Sequence, residues 1–533
     1  MKTARAIKFG SSTRAYNLVW AELTNVLDTG QSLRPAGDHN CSDSPPTFVA
    51  NALFQSLGFL ACFGGASLLN PVVLSRVELP DGSAYKFKYN SYGEITRIDY
   101  PTGGYERFEY QQIQPVGSEL SPYNKSNRGV KFRWVSEGGT GAVEMMSKYE
   151  VETGTLESPK YLVRITAPDL SYTEQFLYSE SNSGSVYGFT YTFNGRAYDE
   201  RSYSTTGVLM GRKLTKWTET GSLTINGVAG YPGVTRDLRP EKEVSMIFEP
   251  GNTNALASTS ETVYDTAGNT DPAYLSSLNA KQSKTYNYVV VNASTATSAN
   301  ITTAAGWFSS SNLAKTAEMD YLYDANYMAR NITGLVTETR VKDAAGNIKA
   351  RSQIGYDESA YPIISAGTNA QWQDPNTNLR ANVTTTRSWS DIAANQYIET
   401  HAQYDNFGNL RKAWDAKGNV SETEYSSVYQ YAYPTLDRTP IPDPTGLSGS
   451  NTAFTSSTVF DPTTGLPTSA TDANGQTTTI EYNDPLLRPT RTTAPNGVQT
   501  ITEYGAGIDA STRWVKVKTQ IDDTNWKQGD LLP

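Results

Sequence analysis

One spacing constrains this chain more than any other feature. Tyr404-Asp405 is followed 21 residues later by Tyr425. Phe460-Asp461 leads to Tyr482-Asn483 and then to Tyr504, in two steps of 22. Near the N-terminus, Tyr89-Asn90 leads to Tyr110, again 21 residues on, and Pro80-Asp81-Gly82 leads to Pro101-Thr102-Gly103 in the same register. Further copies of the pair stand at Tyr264-Asp265, Tyr323-Asp324 and Tyr356-Asp357. A fixed period of this size marks a repeat architecture in which each period is one supersecondary unit.

Each period reads as strand, turn, strand. Tyr85, Phe87 and Tyr89 alternate with Ala84, Lys86 and Lys88, and Tyr187, Phe189, Tyr191 and Phe193 alternate with Gly188, Thr190, Thr192 and Asn194. Alternation with period two predicts strands with one buried face. Between strands, Asp405 to Asn409, Asp415 to Asn419, Asp265 to Asn269 and Asp343 to Asn347 share an Asp in the first place and a Gly in the fourth. The Asp carboxylate can accept from the backbone two residues on, and Gly takes positive φ without a Cβ clash. This predicts left-handed glycines at Gly408 and Gly418; Asp472 to Gly475 is a variant of the same turn. About ten residues separate successive turns, which leaves strands of about five or six residues. One hairpin is marginal in water, so successive hairpins must pair edge to edge. The predicted fold is all-β: repeated antiparallel hairpins forming one long coiled or spiralling sheet.

Composition then excludes chemistries. The chain has 34 Tyr but only two His and two Cys, too few for a histidine-based or cysteine-rich zinc site. A net charge of −9 argues against a nucleic-acid partner, because phosphate binding needs clustered Lys and Arg. No GxSxG, HExxH or Walker loop occurs. His401 reads as a packing or surface residue on a strand, and His39 beside Cys41 lacks a partner motif for a catalytic dyad. Turn chemistry accounts for Asp405, Asn406 and Asn409 without calcium, since the EF-hand spacing is missing. The sequence therefore predicts no enzyme, no metal and no cofactor. Tyrosines that follow the repeat rather than cluster in one place are expected to pack on a sheet face with their hydroxyls bonded across strands, rather than to form a glycan site.

Residues 1–75 carry no recognisable repeat. Residues 48–74 have no charge, but the run holds Asn51, Gln55, Gly64-Gly65 and Asn70, and it begins too late for a secretory signal. It reads as a buried packing segment, with a misplaced export signal as the alternative and no clear membrane span. Cys41 and Cys62 could form one disulfide in an oxidising compartment, or remain two free thiols. The remaining organisation is read as first hairpins at 76–112, an irregular β region at 113–260, repeats at 261–432, a Pro/Gly-rich linker or loop at 433–451, and C-terminal repeats at 452–533. No heptads and no amphipathic helix of convincing length are seen.

The segments Tyr404–Tyr425, Phe460–Tyr482 and Leu79–Tyr110 resemble the YD repeats of bacterial Rhs proteins, of insecticidal toxin-complex shell subunits and of teneurins. The resemblance is specific over 76–112 and 400–507 and weaker from 160 to 360. It implies a hollow shell with a tyrosine-rich inner surface which, in the bacterial members, encloses a toxic polypeptide. The chain departs from that pattern in lacking the closing RYYDPxxGRFxxxDPxG region. Asp443-Pro444-Thr445-Gly446-Leu447 matches only locally and is read as a loop. The chain ends at Asp530-Leu531-Leu532-Pro533 just after a repeat, so it reads as part of a longer shell or a truncated product. The expected role is a secreted or cell-surface, non-catalytic shell segment whose partners are a polypeptide cargo or the remaining shell. An extracellular adhesin that binds glycans is the alternative, and an enzyme in 113–260 a remote one.

Overall fold

The computed structural model describes residues 5–8, 15–34, 68–112, 128–152, 160–178, 196–218, 239–265, 279–369, 372–375, 377–505, 514–522 and 525–531. His39, Cys41, Cys62, most of the 48–74 run, the alternation from Tyr187 to Phe193 and the turn after Asp265 lie outside them. The described residues hold 31 strands, and every ladder between them is antiparallel. The fold is all-β, built from successive hairpins.

The chain divides into two compact units. The first comprises Met1–Asn182, Ser202–Val208 and Ile480–Pro533. Its strands pair in chain order from Ala15–Glu22 through Val72–Glu78, Ala84–Tyr89, Ile95–Asp99 and Tyr105–Gln112 to Arg128–Ser136. A small core of Leu23, Val26 and Tyr89, with Phe87 and Ile95 against it, sits at the start of this series. The C-terminal strands Arg491–Thr493, Gln499–Tyr504, Val515–Gln520 and Trp526–Leu531 pair in the same consecutive way.

The second unit comprises Ser183–Arg201 and Leu209–Thr479. Strands Leu209–Thr218, Arg239–Phe248 and Asn254–Tyr264 form its best-packed part. Val244, Met246 and Phe248 alternate inward, at 0%, 2% and 7% exposure, while Ile247 between them is 51% exposed. The stretch 113–260, where the repeat is least regular in the sequence, contains two strands of ten residues, Leu209–Thr218 and Arg239–Phe248. Two short helices, Ala293–Ser298 and Ile301–Ala305, bring Ala296, Ala299 and Ala304 onto this core. Alanine suits that contact because it lets a helix approach the sheet closely at no cost in side-chain entropy. Asn292 and Asn300 cap the two helices by accepting from Ser294 N and Thr303 N. From Ala280–Tyr286 onward, the strands Leu313–Tyr321, Val336–Asp343, Ile348–Tyr356, Val383–Asp391, Gln396–Tyr404, Leu410–Trp414 and Val420–Tyr425 pair one after another.

The expected linker or loop at 433–451 needs a correction at its start only, since residues 439–451 hold no helix or strand. Pro434–Arg438 is a strand that pairs with Val420–Tyr425 on one side and Thr455–Phe460 on the other. Pro434 is tolerated because it is the first residue of its strand, where no ladder N–H is required. Beyond it, Asp443 organises a turn by accepting from Thr445 N, Ser448 N and Gly449 N.

Candidate functional site

The repeated element is itself the site, and it has three parts: a strand-end aromatic, a bulge on the next strand, and an Asp-led turn. Tyr89, Tyr264, Tyr356, Tyr404 and Tyr425 each end a strand, and Tyr110 stands two residues before the end of its strand. At each of them the register slips by one residue on the following strand. Tyr404 faces Leu410 while Gln403 faces Lys412, so Arg411 is extra; Tyr425 faces Pro434 while Glu424 faces Leu436, so Thr435 is extra. The same slip occurs at Tyr89, Tyr110, Tyr264 and Tyr356, and also at Trp20, Trp217, Tyr286, Tyr321 and Phe460. An antiparallel bulge bends the strand and increases its twist, so these bulges add curvature to the hairpin pairs that carry them, whereas Tyr504 faces Val515 without a slip.

Where the extra residue is Ser or Thr, its hydroxyl can close the bulge. Ser75, Thr384, Thr435 and Thr468 donate to the carbonyls of Val19, Gly355, Glu424 and Val459, each the residue just before the aromatic at the register slip. Thr490 does the same to Glu481, just before Tyr482. Three of these threonines follow a proline: Pro434-Thr435, Pro467-Thr468 and Pro489-Thr490. That dipeptide is a signal in the sequence that the period alone did not reveal.

The tyrosine hydroxyls then join one period to the next. Tyr89 Oη donates to Leu74 O at 2.6 Å, and Leu74 is the residue facing Trp20. Tyr110 Oη donates at 2.8 Å to Ile95 O, and Ile95 faces Tyr89. In the second unit, Tyr264 donates to Pro240 O, Tyr321 to Ala280 O and Tyr356 to Val336 O, residues that face Trp217, Tyr264 and Tyr321 in turn. Each tyrosine therefore bonds the carbonyl opposite the aromatic of the preceding period. Tyr504 Oη reaches Pro489 O at 2.9 Å. Burial pushes the hydroxyls of Tyr89, Tyr110, Tyr264, Tyr321, Tyr356, Tyr404, Tyr425, Tyr482 and Tyr504 above the usual tyrosine range.

The aspartates do local work. Asp405 is fully buried, and its Oδ1 accepts from Phe407 N and Asn409 N at 2.9 and 3.0 Å. Asp415, Asp461 and Asp472 accept in the same way from Lys417 N, Thr463 N and Asn474 N. Gly408, Gly418 and Gly475 lie at φ 87°, 79° and 74°. Asp324 caps the short helix Ala325–Met328 instead. Tyr323 is not the strand-end residue of its period. Tyr321 holds that place, and Tyr323 Oη donates to Asp265 at 2.9 Å.

One sheet face carries cross-strand ion pairs. Glu338, Arg340 and Lys342 alternate along a single strand, so they share a face. Arg340 contacts Glu318, Asp320 and Glu338, and Arg351 contacts Glu338 from the next strand. Burial pushes the Glu338 carboxyl up, but hydrogen bonds from Arg351, Gln353 and Arg340 outweigh it and hold the group at about 2. His401 stacks on Tyr361 with centroids 4.7 Å apart, and its ring nitrogens contact Thr385 Oγ1 and Glu399. Among the described residues no group of three or more His, Cys, Asp or Glu is placed to hold a metal ion, and no helix is long and apolar enough to cross a membrane.

No protein-family model and no curated protein matches the chain. Solved structures do show a distant likeness. A crystal structure of TcdB2-TccC3 has a TM-score of 0.41 at 10% identity, over 85% of this chain and 28% of that one. A second crystal structure, of TcdB2-TccC3-TEV, gives 0.41 at 11%, over 87% and 27%. The Photorhabdus luminescens Tc holotoxin pore with the TccC3-D651A mutation gives 0.36 at 12%, over 84% and 18%. The chain thus spans between 18% and 28% of these three chains.

Proposed function

We propose that this chain is a non-catalytic structural wall of the YD-repeat type, which encloses or presents a polypeptide. The observation that carries this reading is the chain of tyrosine hydroxyls running from one period to the carbonyls of the period before. Those groups are spent on holding hairpins in register. Buried phenols with raised proton affinity, already bonded to backbone, are suited to a stable wall and poorly suited to proton transfer near neutral pH. The ion-paired face leaves its charges neutralised by one another, which limits tight adhesion to a passing polypeptide.

The test uses the full chain extended after Pro533 by a reporter polypeptide that has no structure of its own. Trypsin should cut the reporter more slowly on this chain than on an unrelated carrier, and Tyr89→Ala or Tyr356→Ala should remove the difference. Equal cutting on both carriers would refute enclosure.

A further inference from the structure

His401 is the one histidine among the described residues, and it sits in a run of side chains that joins three segments of the second unit. It lies on Gln396–Tyr404 and faces Thr385 on one neighbouring strand and Trp414 on the other. Its Nδ1 is 3.1 Å from Thr385 Oγ1, and its Nε2 is 3.2 Å from Glu399 Oε1. Thr385 is 5% exposed, and its hydroxyl donates to Glu358 Oε2. Glu358 stands two residues beyond the strand Ile348–Tyr356. Its carboxylate is seated over Gly355, where an added Cβ would lie 2.7 Å from Oε2, and Thr384 Oγ1 is 2.8 Å from the same oxygen. Its backbone N–H donates to Thr384 Oγ1 at 3.2 Å. Tyr361, three residues on, stacks on the imidazole with centroids 4.7 Å apart and leans on Trp414 at 5.4 Å.

The run Glu358–Thr385–His401–Glu399 has three links, so it needs three hydrogens. A carboxylate has none to give, and a hydroxyl has one. Thr385 spends its own on Glu358 and must therefore accept from Nδ1–H, while Glu399 must accept from Nε2–H. The ring then carries both hydrogens and a positive charge. A neutral ring has a single N–H, so one of its nitrogens would face an acceptor. Turning the Thr385 hydrogen toward Nδ1 only moves the fault, because the hydroxyl oxygen would then face the Glu358 carboxylate. Charge balance asks for the same state. Arg387, against the Tyr397 ring, pairs with the second oxygen of Glu399, so two carboxylates meet one guanidinium unless the imidazole is charged. The charges on the next strand and its turn are already engaged: Lys412 is held by Glu422 at 2.7 Å, and Asp415 accepts from Lys417 N and Asn419 N.

We infer that Glu358, Thr385, His401 and Glu399 form a pH-sensitive clasp, closed by a proton on the imidazole, that holds residues 358–361 against the sheet. Among these side-chain types, imidazole is the one that exchanges its proton between about pH 5 and 8. On the acid side the three links are complete. On the alkaline side one link becomes two acceptors in contact, and a buried acceptor left without a donor costs more than the bond was worth. The clasp stands apart from the wall reading, because it needs no enclosed polypeptide.

The test uses the full chain with His39→Gln, which leaves His401 as its one imidazole. Proton–nitrogen NMR of isotope-labelled histidine follows the two ring nitrogens while hydrogen exchange follows residues 358–361, both across about pH 5 to 9. Exchange, corrected for its intrinsic pH dependence, should quicken by about tenfold or more as the ring loses its second N–H. Glu358→Gln supplies an amide donor to Thr385, which frees the Thr385 hydrogen for Nδ1, so a neutral ring completes the run. Exchange in that variant should stay within about twofold across the same titration. The inference is overturned if the ring carries one N–H while residues 358–361 are still fully protected, or if the ring titrates with no change in their exchange. It is also overturned if Glu358→Gln, with an unchanged melting profile, keeps the full pH dependence.

Discussion

Tyr89→Phe isolates one link of the tyrosine chain. The ring is 5% exposed and packs with Leu23, Val26, Phe87 and Ile95, and phenylalanine keeps that packing. What is lost is one hydrogen bond, Tyr89 Oη to Leu74 O at 2.6 Å. A hydrogen bond of this kind contributes about 0.5–1.5 kcal/mol net, with the upper end expected where the stripped carbonyl stays covered by the ring. Tyr89→Ala also removes the ring and should cost about 3–5 kcal/mol. Tyr85 lies on the same strand and makes only an edge contact with Tyr100, with no hydrogen bond from its hydroxyl to any described residue. Tyr85→Phe should therefore stay within about 0.5 kcal/mol of wild type. Calorimetric melts of the three variants decide the matter, with the Tyr89→Phe transition lower by about 2–4 °C per kcal/mol lost. If Tyr89→Phe and Tyr85→Phe melt alike, the hydroxyl chain contributes nothing to register.

Other consequences are local or pH-dependent. Gly408→Val should cost about 1 kcal/mol or more, all of it from the backbone at φ 87°, because nothing lies within 4 Å of an added Cβ; an unchanged melt would refute the turn's role. Glu338, with its carboxyl held at about 2, should contribute up to about 3 kcal/mol. That contribution is present above the ordinary carboxylate range and lost as pH falls from about 4.5 toward 2. Acid titration of stability in Glu338→Gln should be flatter over that window, and an unchanged slope would contradict the ion-pair assignment. The raised tyrosines have the opposite sign. Their contribution is present below the ordinary tyrosine value of about 10 and lost as pH climbs through their folded values. Absorbance titration should therefore show a late class of phenols that ionises together with unfolding.

What the sequence made legible was what is encoded locally. Asp405 and Gly408 stand three residues apart in one turn, and turn chemistry needs no partner strand, so the hairpin and its left-handed glycine could be read directly. The bulges could not be, because a slip in register exists only between two strands. Tyr321 and Tyr323 show the consequence: both precede Asp324, and only the pairing of Tyr321 with Val336 reveals which one ends the strand. The helices at 293–305 are not legible because five or six residues are too few for a 3.6-residue pattern. Pro434 masked a strand because proline signals a loop unless its place opposite Tyr425 is known. The contacts of Trp372 with Phe407, and of Phe407 with Tyr431, were invisible for the same reason: these rings meet only through the fold.

The central claim is that successive hairpins pair edge to edge in one fixed register even where the chain between them wanders. The joint across residues 357–382 tests it most directly, because no tight turn enforces it. Ser352 and Ser388 face each other there, with Thr386 two residues away on the same strand face. In a chain with Cys41→Ser and Cys62→Ser, the pair Ser352→Cys with Ser388→Cys places its Cα atoms within the reach of a disulfide, about 4.4–6.8 Å. Oxidation followed by peptide mass mapping should show that cross-link in high yield, and little for Ser352→Cys with Thr386→Cys. Equal yields for the two pairs, or a preference for the second, would contradict the register and the wall built on it.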